Sequence, residues 1–522
     1  MRVTTATLSI CTALVMASGM SLCWADDATA PLNPAAFPSV GQVDERFQSY
    51  NVEMAEVVGG RFWKPYSHMS PTAAPPAQIN VGRDPNLFEA RPPADLGDRR
   101  LRALAAPLGP AYVRVSGTWA NSAYFQNDDA PAQESAPNGY SGVLTRSEWR
   151  GVIDFAKAVN AKLVTSFTIS TGVRDASGVW TPVEALPLLD YTSSIGGEIY
   201  AAEMFNEPNL AGYGGGLKGY DAAAFARDSS VFRALLEQTA PHVKIVGPGD
   251  VTTANVAIPG APTSENLINS APSPRFDIFS YHFYPAVSQR CAPPGEARVG
   301  TSEDQALTEA WLARTDQAFS EHKAVRDRYA PQAPIWITET AQTACGGSPW
   351  AATFTDTFRY LDQMGRLAKQ GVSVIFHNTL AASEYGLIDQ TGFQPRPNYW
   401  AALLWRRLMG TTVLDAGRGR AGLHVYAQCL RGQPGGVSVL AINLSLQPAS
   451  LKVGGPPAEV YTLSAPTLTS STVLLNGRPL NLGANDRIPE LQPRRINGKL
   501  VTLAPQSIDF IAWPRAGNAN CQ

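Results

Sequence analysis

A (β/α)8 barrel followed by an all-β sandwich is the fold class this sequence predicts. Apolar strand-like runs alternate with helical patterns from residue 49 to about 410, the order expected of parallel strands joined by crossover helices. The runs are continuously apolar, as strands covered on both faces must be. Beyond residue 411 the texture changes to short runs separated by Gly, Pro and Asn, which reads as an all-β unit over 411–522. The 522 residues suffice for a large core and more than one domain.

The N-terminus carries Arg2, a mostly apolar stretch Leu8–Leu22, and Cys23-Trp24-Ala25, so residues 1–25 read as a secretory signal peptide. The apolar run is short for a membrane-spanning helix and no stop-transfer pattern follows it. No integral span is therefore expected after signal removal, and the mature chain is expected to be periplasmic or secreted. Residues 26–48, rich in Ala and Pro, look like an exposed lead-in.

Eight strand candidates then follow: Tyr50–Glu56, Tyr112–Ser116, Lys162–Thr168, Ile199–Phe205, Val243–Gly247, Phe276–Tyr281, Ile335–Thr338 and Val372–Phe376. Trp149, Val152, Ile153 and Ala156 recur at helical spacing, with Thr145 and Glu148 placed as a capping box. Helical patterns also fit Tyr220–Gln238, Glu303–Tyr329, Ala351–Gln370 and Asn398–Met409. The strand-poor stretches Ser67–Ala94 and Asn255–Pro274 read as loops over the barrel. No Gly-rich loop follows the first strand, which argues against a doubly wound nucleotide fold. In the β unit the runs are Gly422–Gln428, Gly436–Leu444, Ala458–Leu463, Ser471–Leu475 and Ser507–Trp513.

With Cys11 and Cys23 in the signal, Cys291, Cys345, Cys429 and Cys521 remain. An even number in an exported chain suggests disulfides, and three pairings are open to them. Cys291–Cys345 and Cys429–Cys521 is the pairing that keeps each bridge within one domain; free buried thiols are the alternative. A net charge of -2 supplies no global basic field, so no nucleic-acid partner is expected. The histidines lack metal-ligand spacing and no Gly-x-Ser-x-Gly elbow is present, so neither metal, cofactor nor serine nucleophile is expected. A monomer is expected.

Two apolar runs carry the chemistry. Ile199-Tyr200-Ala201-Ala202-Glu203-Met204-Phe205-Asn206-Glu207 and Pro334-Ile335-Trp336-Ile337-Thr338-Glu339 each bring a glutamate to the end of a strand, the fourth and the seventh. Active sites of such barrels lie at the C-terminal strand ends, and strands four and seven face each other across the mouth. Paired carboxylates across a cleft are what glycoside hydrolysis requires. Glu207 is assigned as acid/base and Glu339 as nucleophile, with Asn206 placed to bond a sugar 2-hydroxyl. A retaining mechanism needs the carboxyl groups roughly 5–5.5 Å apart. Either glutamate alone is equally a barrel-rim salt bridge.

Met204-Phe205-Asn206-Glu207-Pro208-Asn209 resembles the acid/base motif of glycoside hydrolase family 79, the heparanase-like β-glucuronidases, and Trp336-Ile337-Thr338-Glu339-Thr340 resembles its nucleophile strand. Tyr112-Val113-Arg114-Val115-Ser116-Gly117-Thr118 is similar to the family's Arg-Gly-Thr strand, and Glu384-Tyr385-Gly386-Leu387-Ile388-Asp389 with Pro397-Asn398-Tyr399-Trp400 to a further segment. The resemblance implies a β-linked glucuronic acid whose carboxylate is held by backbone amides of a Gly-Gly turn and by a tyrosine hydroxyl. Gly346, Gly347 and Tyr385 match those elements, with one extra residue between Glu339 and the turn. Thr118 and Glu53 are placed with the sugar-binding residues, and His282 resembles a histidine lining the sugar pocket or contacting Glu339. His377 departs from the family pattern. The expected partner is an oligo- or polysaccharide containing glucuronic acid, with heparan sulfate cut internally as the first expectation. Exo-cleavage of small glucuronides, or a secreted carbohydrate-binding protein without turnover, are the alternatives. Arg99, Arg100 and Arg102 are candidates for polymer binding, a solvated charged face being the plainer role.

Overall fold

The computed structural model describes residues 31–69, 84–212, 217–253, 260–292, 301–417 and 419–522. The signal-peptide expectation, and parts of the two expected loops, lie outside these residues. Eight strands form a closed parallel barrel: Gln48–Glu53, Ala111–Ser116, Ala161–Ser166, Ile199–Glu203, Lys244–Thr253, Ile278–Tyr284, Ile335–Thr340 and Val374–His377. Each overlaps the run expected from sequence. Neighbours in sequence are neighbours in the barrel, and the eighth strand closes on the first with Ile375 opposite Gln48 and His377 opposite Tyr50.

Alternation along each strand sends one row of side chains to the helices and the other into the barrel. Tyr50 and Val52 join the outer core, while Asn51 and Glu53 take part in the polar network at the barrel mouth. The helix Arg146–Ala158 carries the expected capping box, with Glu148 Oε2 accepting from Thr145 N–H at 2.7 Å. Its apolar stripe of Trp149, Val152, Ile153 and Ala156 is buried as the spacing demands.

Four segments named from the sequence differ from their expected form. The Glu303–Tyr329 pattern is divided into a 3-10 turn at Glu303–Gln305 and helices Glu309–Leu312 and Arg314–Tyr329. Within the supposed loop Ser67–Ala94, Phe88–Arg91 pairs with Gly60–Trp63 as a hairpin, and Asn255–Pro274 contains the short helix Ser264–Ile268. The segment expected to be an exposed lead-in instead builds the second domain: Ser39–Gln42 pairs with Met409–Leu414, and Phe37 is buried in that domain's core.

The C-terminal unit is a nine-stranded, largely antiparallel sheet backed by a two-stranded ribbon, Ala449–Lys452 with Leu500–Leu503. Its central strands Val437–Asn443 and Ser507–Trp513 are buried on both faces. Val437, Val439, Ala441, Ile511 and Trp513 pack toward the ribbon, while Leu440, Ile442, Ile508 and Phe510 join the core of the barrel. The sheet is thus fused to the barrel's helices. His424 reinforces the join: one ring nitrogen lies 2.5 Å from Asp362 of helix Phe354–Lys369 and the other 3.0 Å from Glu309. Both expected disulfides form, Cys291–Cys345 under the barrel mouth and Cys429–Cys521 in the sheet domain.

Phe510→Ala should test this shared core. A fully buried Phe replaced by Ala costs about 3–5 kcal/mol. Chemical denaturation should show barrel and sheet signals shifting together; a shift confined to the sheet domain would contradict a shared core.

Candidate active site

The barrel interior changes character along its axis. Near its N-terminal end Tyr112, Val164, Ala201, Val246, Ile278, Trp336, Val374 and Phe376 form an apolar plug. Two residues further along the same rows the side chains become polar: Arg114, Glu203 and Asn378 succeed Tyr112, Ala201 and Phe376. Glu339 has the wrong parity to join them. Its strand contains a register shift, with Ile337 opposite Tyr281 but Glu339 opposite His282. This bulge at Thr338 reverses the alternation, so Glu339 turns inward although Ile335 and Ile337 pack outward.

Glu207 reaches the site differently. The fourth strand ends at Glu203, two residues short of the expected run Ile199–Phe205 and four before Glu207. Glu207 then adopts a left-handed backbone with φ 53° and ψ 69°, unusual for a residue with a side chain. The preceding residue is clamped: Asn121 Oδ1 accepts from Asn206 N–H, and Asn121 Nδ2 donates to Asn206 O, both at 2.9 Å.

The centre of the cluster is Arg114, fully buried. Nε and Nη2 donate to Glu203 Oε2 at 2.9 and 2.7 Å, Nη1 to Glu339 Oε2 at 3.0 Å, and Nη2 to Asn206 Oδ1 at 2.7 Å. Nη2 also lies 3.3 Å from His282 Nε2. Because a guanidinium only donates, that ring nitrogen accepts. His282 Nδ1, 3.2 Å from Glu207 Oε1, then carries the ring proton and donates to it. Burial holds His282 below its ordinary range, which keeps the ring neutral.

Burial also raises Glu207, to about 7; Arg114 pulls it down, while Glu203 and Asp250 push it up. Glu339 Oε1 accepts from the Tyr284 hydroxyl at 2.6 Å. Burial and then the Glu339 charge hold that phenol protonated. Asn378 Nδ2 links Tyr284, Glu53 and the Tyr385 hydroxyl at 2.9, 3.2 and 3.2 Å. Burial, followed by the charge of Glu339, raises Glu53 well above the usual carboxylate range.

One oxygen each of Glu207 and Glu339 and a ring nitrogen of His282 all lie within 4.8 Å of one another. Such a trio resembles a cation site, a grouping the histidine spacing in the sequence did not reveal. Arg114, bonded to Glu339 and beside His282, already brings a fixed positive charge there and opposes a second cation.

The Gly-Gly turn lies on the neighbouring wall. Cys345, Gly346 and Gly347 are all left-handed, with φ of 64°, 76° and 85°. A Cβ on Gly347 would approach Tyr385 Cδ1 at 3.2 Å, so turn and tyrosine share one surface. His377 donates from Nε2 to Tyr385 O at 2.7 Å; burial lowers the ring to about 3, leaving a neutral prop beneath Tyr385. Thr118 is half-buried beside Gly117 and enters none of the hydrogen bonds of the cluster. Arg99 and Arg100 bind Asp486 of the sheet domain, and Arg102 donates to Leu96 O.

Sequence reading did not single out Arg114, Glu203, Tyr284, Asn378 or Asn121. Arg114 and Glu203 had a usable signal: a charge inside an apolar strand must find a buried partner. Asn378 and Asn121 sit in segments with no such contrast.

Residues 130–365 match the family description "Glycosyl hydrolase family 79, N-terminal domain". The chain is 28% identical to heparanase of Mus musculus over 489 residues, covering 82% of this chain and 88% of that protein. It is 26% identical to heparanase-like protein 1 of Arabidopsis thaliana over 472 residues, covering 79% and 83%. Baicalin-beta-D-glucuronidase of Scutellaria baicalensis is 28% identical over 261 residues, 46% of each chain. Among solved structures, a 4-O-alpha-L-rhamnosyl-beta-D-glucuronidase from Fusarium oxysporum shares the fold with a TM-score of 0.65 at 14% identity, covering 93% of this chain and all of that one.

Gly117 offers a test of the geometry. Its φ is 97°, and a Cβ there would lie 1.7 Å from Glu53 Oε2. Gly117→Ala should leave the circular dichroism spectrum intact but displace Glu53 and its partner Asn378. A displacement of about 1 Å in such a site costs on the order of 10²-fold in kcat/KM, measurable on an aryl glycoside.

Proposed function

We propose that the chain is a family 79 glycoside hydrolase, an exported, retaining β-glucuronidase acting on glucuronic acid in heparan sulfate or a related glycosaminoglycan. The observation that carries the mechanism is the approach of the Glu207 and Glu339 carboxylates, whose oxygens come within 4.8 Å. Carboxyl groups about 5–5.5 Å apart suit attack by one of them on the sugar, whereas inverting enzymes leave about 6.5–9.5 Å for a water.

Glu339, oriented by Arg114 and Tyr284, attacks the anomeric carbon. Glu207 enters as a carboxylic acid. With Oε1 occupied by the His282 N–H, its proton resides on Oε2, available to the leaving oxygen. That proton passes to the leaving group as the glycosidic bond breaks. In the second half, ionised Glu207 takes a proton from water, which displaces the sugar from Glu339. Asn206, held by Arg114 through its carbonyl, sets its amide beside Glu207, which it draws down, and would turn that amide toward the 2-hydroxyl when the sugar is bound. Gly346, Gly347 and Tyr385 receive the sugar carboxylate, and protonated Glu53 with Asn378 lines the hydroxyl side. The two disulfides suit an oxidising compartment outside the cytoplasm.

A second reading, exo-cleavage of small glucuronides, gains weight because Arg99 and Arg100 are spent on Asp486 rather than on a polymer groove. Product sizes separate the two: internal cleavage of heparan sulfate shortens chains from the first turnovers, while exo-cleavage releases monosaccharide alone. Finding neither polymer nor small-glucuronide turnover would favour a binding protein.

Proton nuclear magnetic resonance should show the β-anomer of glucuronic acid as first product; an initial α-anomer would overturn retention. Glu207→Gln should lower kcat by roughly 10²–10⁴-fold on substrates with poor leaving groups, and Glu339→Gln should abolish turnover at an unchanged melting temperature.

The rate should depend on pH with a definite sign. Glu207 must be protonated for the first step and is raised to about 7, so kcat/KM should hold below that value. Above it, the rate should fall about tenfold per unit. A profile flat to about pH 9 would remove Glu207 as the acid.

A further inference from the structure

Arg290 is buried at 4% exposure, outside the catalytic cluster, and the mechanism above does not use it. Nη1 donates to Lys64 O at 2.6 Å, and the guanidinium lies 3.9 Å over the Tyr66 ring. Nε and Nη2 are buried without a hydrogen-bond partner among the described residues. An arginine does not escape burial by losing its proton, so the environment must answer its charge. Nearby Glu384 accepts from Tyr66 N–H at 2.9 Å, while Arg91 adds a second cation.

The position of this cation relates it to the Gly-Gly turn. The segment carrying it is bound to the turn at three points: Ser288 N–H donates to Ala344 O at 3.1 Å, Ser288 Oγ donates to Gly347 O at 2.7 Å, and Cys291 is bridged to Cys345. The Tyr66 hydroxyl, on the ring beneath the guanidinium, lies 2.5 Å from Ser288 Oγ. The charge of Arg290 also reaches Tyr385, drawing its hydroxyl down against a larger push upward from burial, Glu53 and Glu339.

We propose that Arg290 is the fixed cation of the uronate subsite, a specificity-determining residue that selects a sugar bearing a carboxylate over its neutral isostere. The inference rests on the glucuronide reading of the site. A carboxylate seated on Gly346, Gly347 and Tyr385 supplies Arg290 with a counter-charge: the guanidinium makes no ion pair among the described residues, and nearby Glu384 is shared with Arg91 and Arg396. A neutral group there leaves the buried cation uncompensated, and in a site screened from water that difference is large. Arg290 acts through field and positioning; the turn amides and Tyr385 make the direct contacts.

The test compares 4-nitrophenyl β-D-glucuronide with its methyl ester, using KM for whichever is cleaved and the competitive inhibition constant otherwise. Wild type should favour the acid by at least about tenfold. Arg290→Met should raise KM for the acid by about tenfold with kcat within about threefold, and leave the ester unchanged, so that the discrimination collapses. Arg290→Gln, which keeps a polar side chain with an amide donor but no charge, should do the same and carries the test if the Met variant fails to fold. Equal weakening of acid and ester, or no change in either, would make Arg290 structural and overturn the inference while the glucuronidase reading stands. Wild type that fails to bind and cleave the glucuronide at all would overturn both.

Discussion

Arg114 is the residue on which the rest of the site depends. A guanidinium at the centre of a barrel carries a charge it does not shed, at a depth where desolvation alone costs several kcal/mol. Two carboxylates, Glu203 and Glu339, answer it directly. Burial disfavours the cation, but the charges of Glu203 and Glu339 outweigh that cost and hold Arg114 firmly protonated. Its fork geometry then dictates the arrangement around it. One edge fixes Glu203, another Glu339, and the remaining donor orients Asn206 and forces His282 Nε2 to accept. The tautomer of His282 follows, and with it the oxygen of Glu207 that keeps its proton.

The same centre separates the roles of the carboxyl groups. Glu339 lies against Arg114 and the Tyr284 hydroxyl, both donors. Glu207 bonds a neutral imidazole instead and is dominated by burial, while Glu53 is buried beside the charge of Glu339. One pocket therefore sets one carboxyl group among hydrogen-bond donors and two others in burial that raises them, the separation of environments that the proposed mechanism uses. No metal is required for this division, because the buried arginine already supplies the fixed positive charge that orders the anions.

What the sequence revealed depended on contrast. The eight barrel strands stood out because strands covered on both faces are continuously apolar, and Glu207 and Glu339 stood out because each interrupts such a run. The backbone devices that aim them did not. The bulge at Thr338 and the left-handed Glu207 are single-residue events with no periodic signature, yet each turns a glutamate toward the cleft. Asn378 and Asn121 escaped notice because an asparagine in a loop is ordinary until its partners are known. The strand Ser39–Gln42 was taken for a lead-in since four exposed residues at a sheet edge carry no apolar pattern. The helix Ala185–Ser194 was not among the expected elements, and it carries Pro187. In the first turn of a helix, where no N–H partner is required, it is tolerated.

Chemistry and selectivity are built from different material in this chain. Glu203, Arg114, Glu339 and Tyr284 stand on barrel strands whose registers are fixed by pairing on both sides. The wall bearing Gly346, Gly347 and Tyr385 is assembled from loops: the segment after Trp63, the segment through Ser288 and Cys291, and the turn itself. These are stitched by the Tyr66–Ser288 and Ser288–Gly347 contacts and by one disulfide. On the glucuronidase reading proposed above, a change in those loops would alter which C5 substituent of the sugar is received without disturbing the strand-borne carboxylates. A change at Arg114 disturbs all of them at once. That asymmetry is why a barrel of this kind supports many glycosidic specificities on one arrangement of acid and nucleophile.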